Sequence, residues 1–164
     1  MLHIGVDLDG VLAVHGGEEK FFDIRIAPRA VEVIQMYTKL GLRFSIISSR
    51  INCRAETHRW LKMNHAFELF ESVLVAEDHD DSKLNAAQLL QIDIMIEDTP
   101  YEIEKLIAGE WEIWMPELPI NQSYKPVSQQ VVKIKGRRLT PQGWVADWED
   151  IEARLKQKLK ETTK

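Results

Sequence analysis

The chain has 164 residues, 45% hydrophobic and 29% charged, a balance that fits one folded domain and excludes a disordered or collagen-like polymer. Its formal charge of −5 gives no general attraction to nucleic acid or an anionic membrane, although local basic patches remain compatible with it. The lone Cys53 excludes an internal disulfide and a cysteine zinc cluster. With no basic-then-apolar leader and no apolar run of bilayer length, a soluble cytoplasmic protein is expected.

The first predicted element is a short strand leading into Ile4-Gly5-Val6-Asp7-Leu8-Asp9-Gly10-Val11-Leu12. Apolar residues at 2, 4 and 6 suit a sheet core, and carboxylates arrive where that strand should end. Residues two apart share a face, so Asp7 and Asp9 are expected to point the same way unless the turn at Gly10 alters this. Two carboxylates that close repel unless a cation or a shared proton compensates, and a hard ion such as Mg²⁺ suits them. The alternative is a helix or turn start with incidental acids. Residues 13–27 lack helical periodicity; Gly16-Gly17 signals a turn, and Phe21-Phe22 with Ile24 and Ile26 predict a small hairpin or flap.

Pro28 is placed at the first position of a helix carrying Val31, Ile34, Tyr37 and Leu40 until Gly41 stops it. Leu42 to Ile47 reads as a second strand ending in Ser48-Ser49-Arg50. A helix from about Arg54 to Asn64 follows, with Ala55, Trp60 and Leu61 toward the core. Ser72 to Ala76 is a third strand, closed by the acidic loop Glu77-Asp78-His79-Asp80-Asp81. Lys83 opens a helix through Leu90, Ile92 to Ile96 is a fourth strand, and Glu97-Asp98-Thr99-Pro100 follows it. A helix from about Tyr101 to Ala108 and a fifth strand from Trp111 to Met115 complete the series.

Strands alternating with helices at this spacing imply a parallel sheet with helices on both faces. Residues 116–146 are expected to form an irregular extension, broken by Pro116, Pro119 and Pro126. Within it Val131 to Lys135 is an edge strand and Gly136-Arg137-Arg138 a basic turn. Trp148, Ile151, Leu155 and Leu159 trace a closing amphipathic helix, and no repeat or linker divides residues 1–164.

If the sheet is parallel, Asp7, Asp9, Ser48, Ser49, Arg50, Lys83, Glu97 and Asp98 converge on one edge. They bring a nucleophilic carboxylate, a second carboxylate for proton transfer, hydroxyls, cations and an acidic pair. That set suits phosphoryl transfer, where positioning and charge neutralisation do most of the work. Taken singly, Lys83 reads as easily as a solvated helix-start lysine, Ser48 as a strand-end cap and Arg50 as a surface charge. His3 and His58 are expected to be structural or exposed, and the 78–81 acids a solvated loop in preference to a second cation site. Trp111, Trp114, Trp144 and Trp148 read as packing residues, and the 133–138 basic run as a soluble edge in preference to a substrate contact.

Asp7-Leu8-Asp9-Gly10-Val11-Leu12, then Ser48, Lys83 and Glu97-Asp98 in that order, resemble the four motifs of the haloacid-dehalogenase-like (HAD) phosphohydrolases. Ser48-Ser49-Arg50, the compact spacing from Lys83 to Glu97-Asp98, Pro119-Ile120-Asn121-Gln122 and Trp148 resemble more narrowly the small 5'(3')-deoxyribonucleotidase-like branch. The likeness runs over nearly the whole chain. It implies an α/β, Rossmann-like HAD fold, with Asp7 as nucleophile and Asp9 as general acid and base. It further implies Mg²⁺ held by Asp7, the Asp9 carbonyl, Glu97 and Asp98, with Ser48 and Lys83 on the phosphate oxygens and Ser49 and Arg50 on the substrate beyond them. Ser48 stands where Thr is common and Glu97 where Asp is common; both keep the chemistry and bear on metal preference.

The HAD families differ in their caps, and residues 13–27 are too few for a folded one, so a nearly capless site is expected. The implied activity is a Mg²⁺-dependent phosphomonoesterase acting on a small phosphorylated substrate, a nucleotide among the candidates. Two alternatives stand beside it: a phosphatase of macromolecular phosphates, with nucleic acid entering only as substrate, and a non-catalytic HAD-like or phospho-receiver domain. A receiver would carry its phosphorylated Asp after strand three and its acidic pair after strand one, the reverse of this arrangement.

Overall fold

Strand β1 (His3–Val6) lies inside a six-stranded parallel sheet. Beyond it on one side run β2 (Arg43–Ser48) and β3 (Ser72–Val75). On the other side run β4 (Ile94–Ile96), β5 (Glu112–Pro116) and β6 (Val131–Ile134). The computed structural model describes residues 1–15, 23–50, 52–76 and 82–162. The order β3-β2-β1-β4-β5-β6 reverses direction between β1 and β4. In open α/β sheets that switch point, at the C-terminal ends of the strands, opens a crevice for ligands.

Alternation along the strands divides the core in two. Ile4, Val6, Phe44, Ile46, Ile94, Ile96 and Trp114 face a large apolar cluster completed by α1 (Ala30–Lys39), α2 (Arg54–Met63) and α5 (Trp148–Thr162). Ile47, Met95, Ile113 and Met115 face a smaller cluster under α3 (Lys83–Leu90) and α4 (Pro100–Leu106). Helices therefore cover both faces, as expected. Trp60, Trp114 and Trp148 are fully buried and Trp111 nearly so, which makes them packing residues. No described helix is long and apolar enough to cross a membrane.

Several local expectations shift. Arg29 is left-handed at φ 68°, so Pro28 lies in the turn before α1 and not at its first position. The buried face becomes Ala30, Val33, Ile34 and Tyr37, and Leu40 is exposed. Ala55 is exposed, and Thr57 takes the inward place on α2. The extension after β5 is more regular than its prolines suggest. The expected turn at 136–138 is strand β7 (Gly136–Arg138), paired antiparallel with β8 (Trp144–Ala146).

That hairpin is fastened to the root of the flap. His15 and Trp144 exchange backbone hydrogen bonds of 2.7 and 2.8 Å, Ala13 bridges Ile26, and Val14 donates to Arg25 at 3.0 Å. A four-segment antiparallel ribbon thus stands beside the parallel sheet. Phe21-Phe22 of the expected flap and the expected acidic loop 77–81 lie outside the described residues.

Candidate active site

The site begins where β1 ends. Asp7 donates its backbone N–H to the carbonyl of Ile96 at 3.0 Å, which locks the ends of β1 and β4 together. A tight turn follows, with Leu12 and Ala13 both donating to Leu8. Gly10 sits in it at φ 75°, and a Cβ there would lie 2.1 Å from Oδ2 of Asp98. Glycine is required twice over at this position, for the backbone conformation and for the close approach.

Gly5 and Met95 both point to the α3 side of the sheet, and Asp7 and Glu97 continue that side beyond the strand ends. Lys83, the first residue of α3, comes down between them. Its Nζ lies 2.7 Å from Oδ1 of Asp7 and 2.5 Å from Oε2 of Glu97. Ser82 caps the helix by accepting from the backbone of Leu84 at 3.1 Å, which fixes where Lys83 enters.

Glu97 and Asp98 are ordered by their own turn. Thr99 donates its N–H to Oε1 of Glu97 at 3.0 Å and its hydroxyl to Oδ1 of Asp98 at 3.1 Å. Buried Asn121 donates to the carbonyls of Asp98 and Pro116, each at 2.8 Å, and accepts from the Leu118 N–H. Oδ2 of Asp98 is buried without a hydrogen-bond partner.

Asp7, Ser48, Lys83, Glu97 and Asp98 are all buried, and burial together with mutual charge shifts the protonation of the four titratable groups. Burial pushes Glu97 up to about 8 and Asp98 up to about 7, with the charge of Asp7 adding to both. Asp7 is raised too, because burial outweighs the adjacent Lys83 ammonium. Burial alone would lower Lys83, but Asp7 and Glu97 outweigh it and hold the ammonium charged.

One carboxylate oxygen from each of Asp7, Glu97 and Asp98 can be taken within 4.8 Å of the others, the one such cluster among the described residues. With Asp9 the edge carries four carboxylates against the two cations Lys83 and Arg50, a deficit that one divalent ion matches. The donors are all oxygens, which is the chemistry Mg²⁺ prefers, and the orphaned Asp98 oxygen is a ready ligand. The residues therefore fit Mg²⁺, with Asp98 the least encumbered donor.

The remaining residues flank this cluster. Ser48 accepts from the Arg50 backbone at 3.3 Å, and Ser49 is exposed. Ser48, Ser49 and Lys83 line a cavity of about 240 Å³ on the β2–β3 side. Arg50 grips Asp9 in a two-pronged ion pair, Nε to Oδ2 at 2.6 Å and Nη2 to Oδ1. The structure thus gathers Asp7, Lys83, Glu97 and Asp98 into direct contact or close range, and sets Asp9 with Arg50 and Ser48 with Ser49 around them. Sequence reasoning missed the Arg50–Asp9 pair and the anchoring by Thr99 and Asn121. The legible trace of the latter is Asn121 itself, within the Pro119-Ile120-Asn121-Gln122 stretch singled out in the sequence.

His3 is structural, holding Leu90 O and Ser45 Oγ at 2.9 and 2.8 Å. Three of the four cations of the basic run are engaged within the chain: Lys133 pairs with Glu117, Arg137 with Glu149, and Arg138 donates to the carbonyls of Thr140 and Pro141.

A parallel sheet of this order is the fold of solved haloacid dehalogenase-like proteins. Among solved structures, D,D-heptose 1,7-bisphosphate phosphatase from B. bronchiseptica, complexed with magnesium and phosphate, matches with a TM-score of 0.69. That match has 10% identity and covers 96% of this chain and 99% of that one. An uncharacterized protein from Listeria monocytogenes matches at 0.63 with 15% identity, covering 82% of this chain and 91% of that one. A haloacid dehalogenase-like family hydrolase from Streptococcus pneumoniae matches at 0.61 with 11% identity, covering 82% and 94% respectively. No protein-family model and no curated protein matches the chain.

Proposed function

We propose that the chain is a Mg²⁺-dependent phosphomonoesterase that works through an aspartyl-phosphate on Asp7 and acts on small phosphate esters, nucleotides among them. The observation that carries this reading is the buried cluster of Asp7, Glu97 and Asp98 with Lys83 set between two of its members. The named activity of the heptose bisphosphate phosphatase supports the same reaction class.

Asp7, Glu97, Asp98 and the Asp9 carbonyl would hold Mg²⁺, which when bound offsets the charge of the incoming phosphoryl group. Lys83 and Ser48 bind and orient the phosphoryl oxygens, and Ser49 and Arg50 meet the substrate beyond them. A carboxylate oxygen of Asp7 attacks phosphorus as the bond to the leaving oxygen breaks, and protonated Asp9 gives its proton to that oxygen, releasing the alcohol. Water then attacks the phosphorus of the Asp7 phosphate. Its proton passes to Asp9, Asp7 departs as a carboxylate, and inorganic phosphate leaves. Asp9 is protonated again and the cycle closes.

The test is a turnover screen over nucleoside monophosphates, sugar phosphates and an aryl phosphate. Hydrolysis should require Mg²⁺ or Mn²⁺, stop with EDTA and be abolished in Asp7→Asn. Asp9→Asn should lose on the order of 10²–10⁴-fold, the usual worth of general acid–base help. Wild-type rates in Asp7→Asn would sink the reading.

A further inference from the structure

We propose that Trp144 determines specificity by holding a flat, uncharged heteroaromatic ring carried on the leaving portion of the substrate. This rests on the phosphatase reading for its chemistry and on the antiparallel ribbon beside the sheet for its geometry. In that ribbon Trp144 stands opposite Arg138 of β7 on one side and opposite His15 of the flap root on the other. Residues directly opposite each other in an antiparallel pair share a face, so guanidinium, indole and imidazole form one row. Gly136 lies on the same face, and a Cβ there would sit 2.2 Å from the Glu117 carbonyl oxygen and 2.6 Å from Leu118 Cδ2. The row therefore looks onto the segment that follows β5.

Between row and segment lies a groove. It consists of two cavities of about 380 and 230 Å³ that share Leu118, Pro119 and Trp144 as walls. The larger falls in the range of about 300–1,000 Å³ usual for small-molecule sites. The groove adjoins the catalytic turn. Leu118 Cδ1 lies 3.2 Å from where a Cβ on Gly10 would sit, and Asn121, another wall, donates to the Asp98 carbonyl at 2.8 Å. Asp9 bridges Ala13, two residues before His15, so the flap root leads from the proton donor to the row.

The walls set what fits. Trp60, Trp111, Trp114 and Trp148 are buried, whereas Trp144 keeps part of its surface exposed, beside the 46% exposed Ile120. His15, Gln122 and Gln142 place hydrogen-bonding groups around these apolar walls. The nearby cations are engaged: Lys133 pairs with Glu117 at 3.1 Å, and Arg138 donates to the carbonyls of Thr140 and Pro141. Arg138 also lies 5.6 Å from the centre of the Trp144 ring. A second phosphate gains little in such a groove, whereas a planar ring with polar edges can stack on the indole and bond at the rim.

The test compares kcat/KM, with Mg²⁺ present, for nucleoside 5'-monophosphates and for ribose 5-phosphate, which share phosphate and pentose and differ in the ring. Wild type should favour the ring by about ten- to a hundredfold for at least one base, the scale of one base stacked on an aromatic side chain. Trp144→Ala should bring the ratio close to one, and Trp144→Phe should keep most of it. Melting temperatures establish that both variants fold. Binding is read separately by NMR on Asp7→Asn with Mg²⁺. The indole N–H resonance that Trp144→Phe removes should move with the nucleotide and stay with ribose 5-phosphate. Equal kcat/KM values in wild type, an undiminished ratio in Trp144→Ala, or a resonance indifferent to the nucleotide overturns the proposal while leaving Mg²⁺-dependent turnover standing. A resonance that moves while no ester is turned over overturns the phosphatase reading instead, and leaves only a groove that binds rings.

Discussion

Lys83 is buried between two carboxylates, and the acids around it make the site sensitive to pH in a definite direction. Glu97 and Asp98 bind a proton more tightly in the folded than in the unfolded chain, with folded values of about 8 and about 7. Their contribution to the stability of the metal-free protein should therefore be full below the ordinary carboxylate range and be lost as pH rises to about 7 to 8. Lys83, held charged by its partners, adds no slope in that window. On the proposed reading Mg²⁺ would bind the deprotonated set, so the rise in melting temperature it causes should grow between about pH 5 and about pH 8. Melting curves with Mg²⁺ and with EDTA check this, and a Mg²⁺ effect that shrinks as pH rises contradicts it. Asp98→Asn should raise the metal-free melting temperature at about pH 8 while removing most of the Mg²⁺ shift. Asp7, Lys83, Glu97 and Asp98 were legible because each sits at the end of a strongly patterned strand or the start of a helix. The pairing of Arg50 with Asp9 was not, since it depends on how the backbone turns after β2, and no local pattern encodes that.

At the scale of elements, the turn after β1 and the turn after β4 are fitted to each other through Gly10 and Asp98. Gly10→Ala would force a side chain into the Asp98 carboxylate at a backbone angle that suits glycine. It should abolish turnover and the Mg²⁺ melting shift together. Asn121→Ala removes the shared donor to two buried carbonyls and should cost about 1–3 kcal/mol, measured by denaturant unfolding, with weakened Mg²⁺ affinity as Asp98 loosens. All six strands of the parallel sheet could be read from their apolar runs, the first five also from the helices between them. β7 and β8 could not. Gly136-Arg137-Arg138 has no apolar alternation, Trp144-Val145-Ala146 is short, and their pairing completes a ribbon whose other members lie near the start of the chain. The phase of α1 was misjudged for a related reason: the left-handed Arg29 moves the helix start past Pro28, and the core then selects Ala30 and Val33.

Across the whole molecule, the sheet order places the acids after β1 and those after β4 on either side of the switch point, and the two apolar clusters hold them there from both faces. Segments far apart in sequence meet at this point. Trp148, at the start of α5, donates its indole N–H to the Val11 carbonyl at 2.9 Å across 137 positions, and Ala146 donates to Gly10 at 2.8 Å. Trp148→Phe keeps most of the ring volume and leaves that carbonyl unmet, so it should cost about 1–3 kcal/mol; Trp148→Ala should cost about 3–5 kcal/mol. Denaturant midpoints for the two variants check the order. The same fastening bears on biosynthesis. Chains emerge from the ribosome at about 5–20 residues per second, so the turn after β1 is out well before its partners in β8 and α5. Those partners follow only much later, and closing so long a loop is slow compared with forming local structure. A nascent chain halted before Trp144 would carry all four carboxylates and both cations, yet lack the wall against which their turn is set.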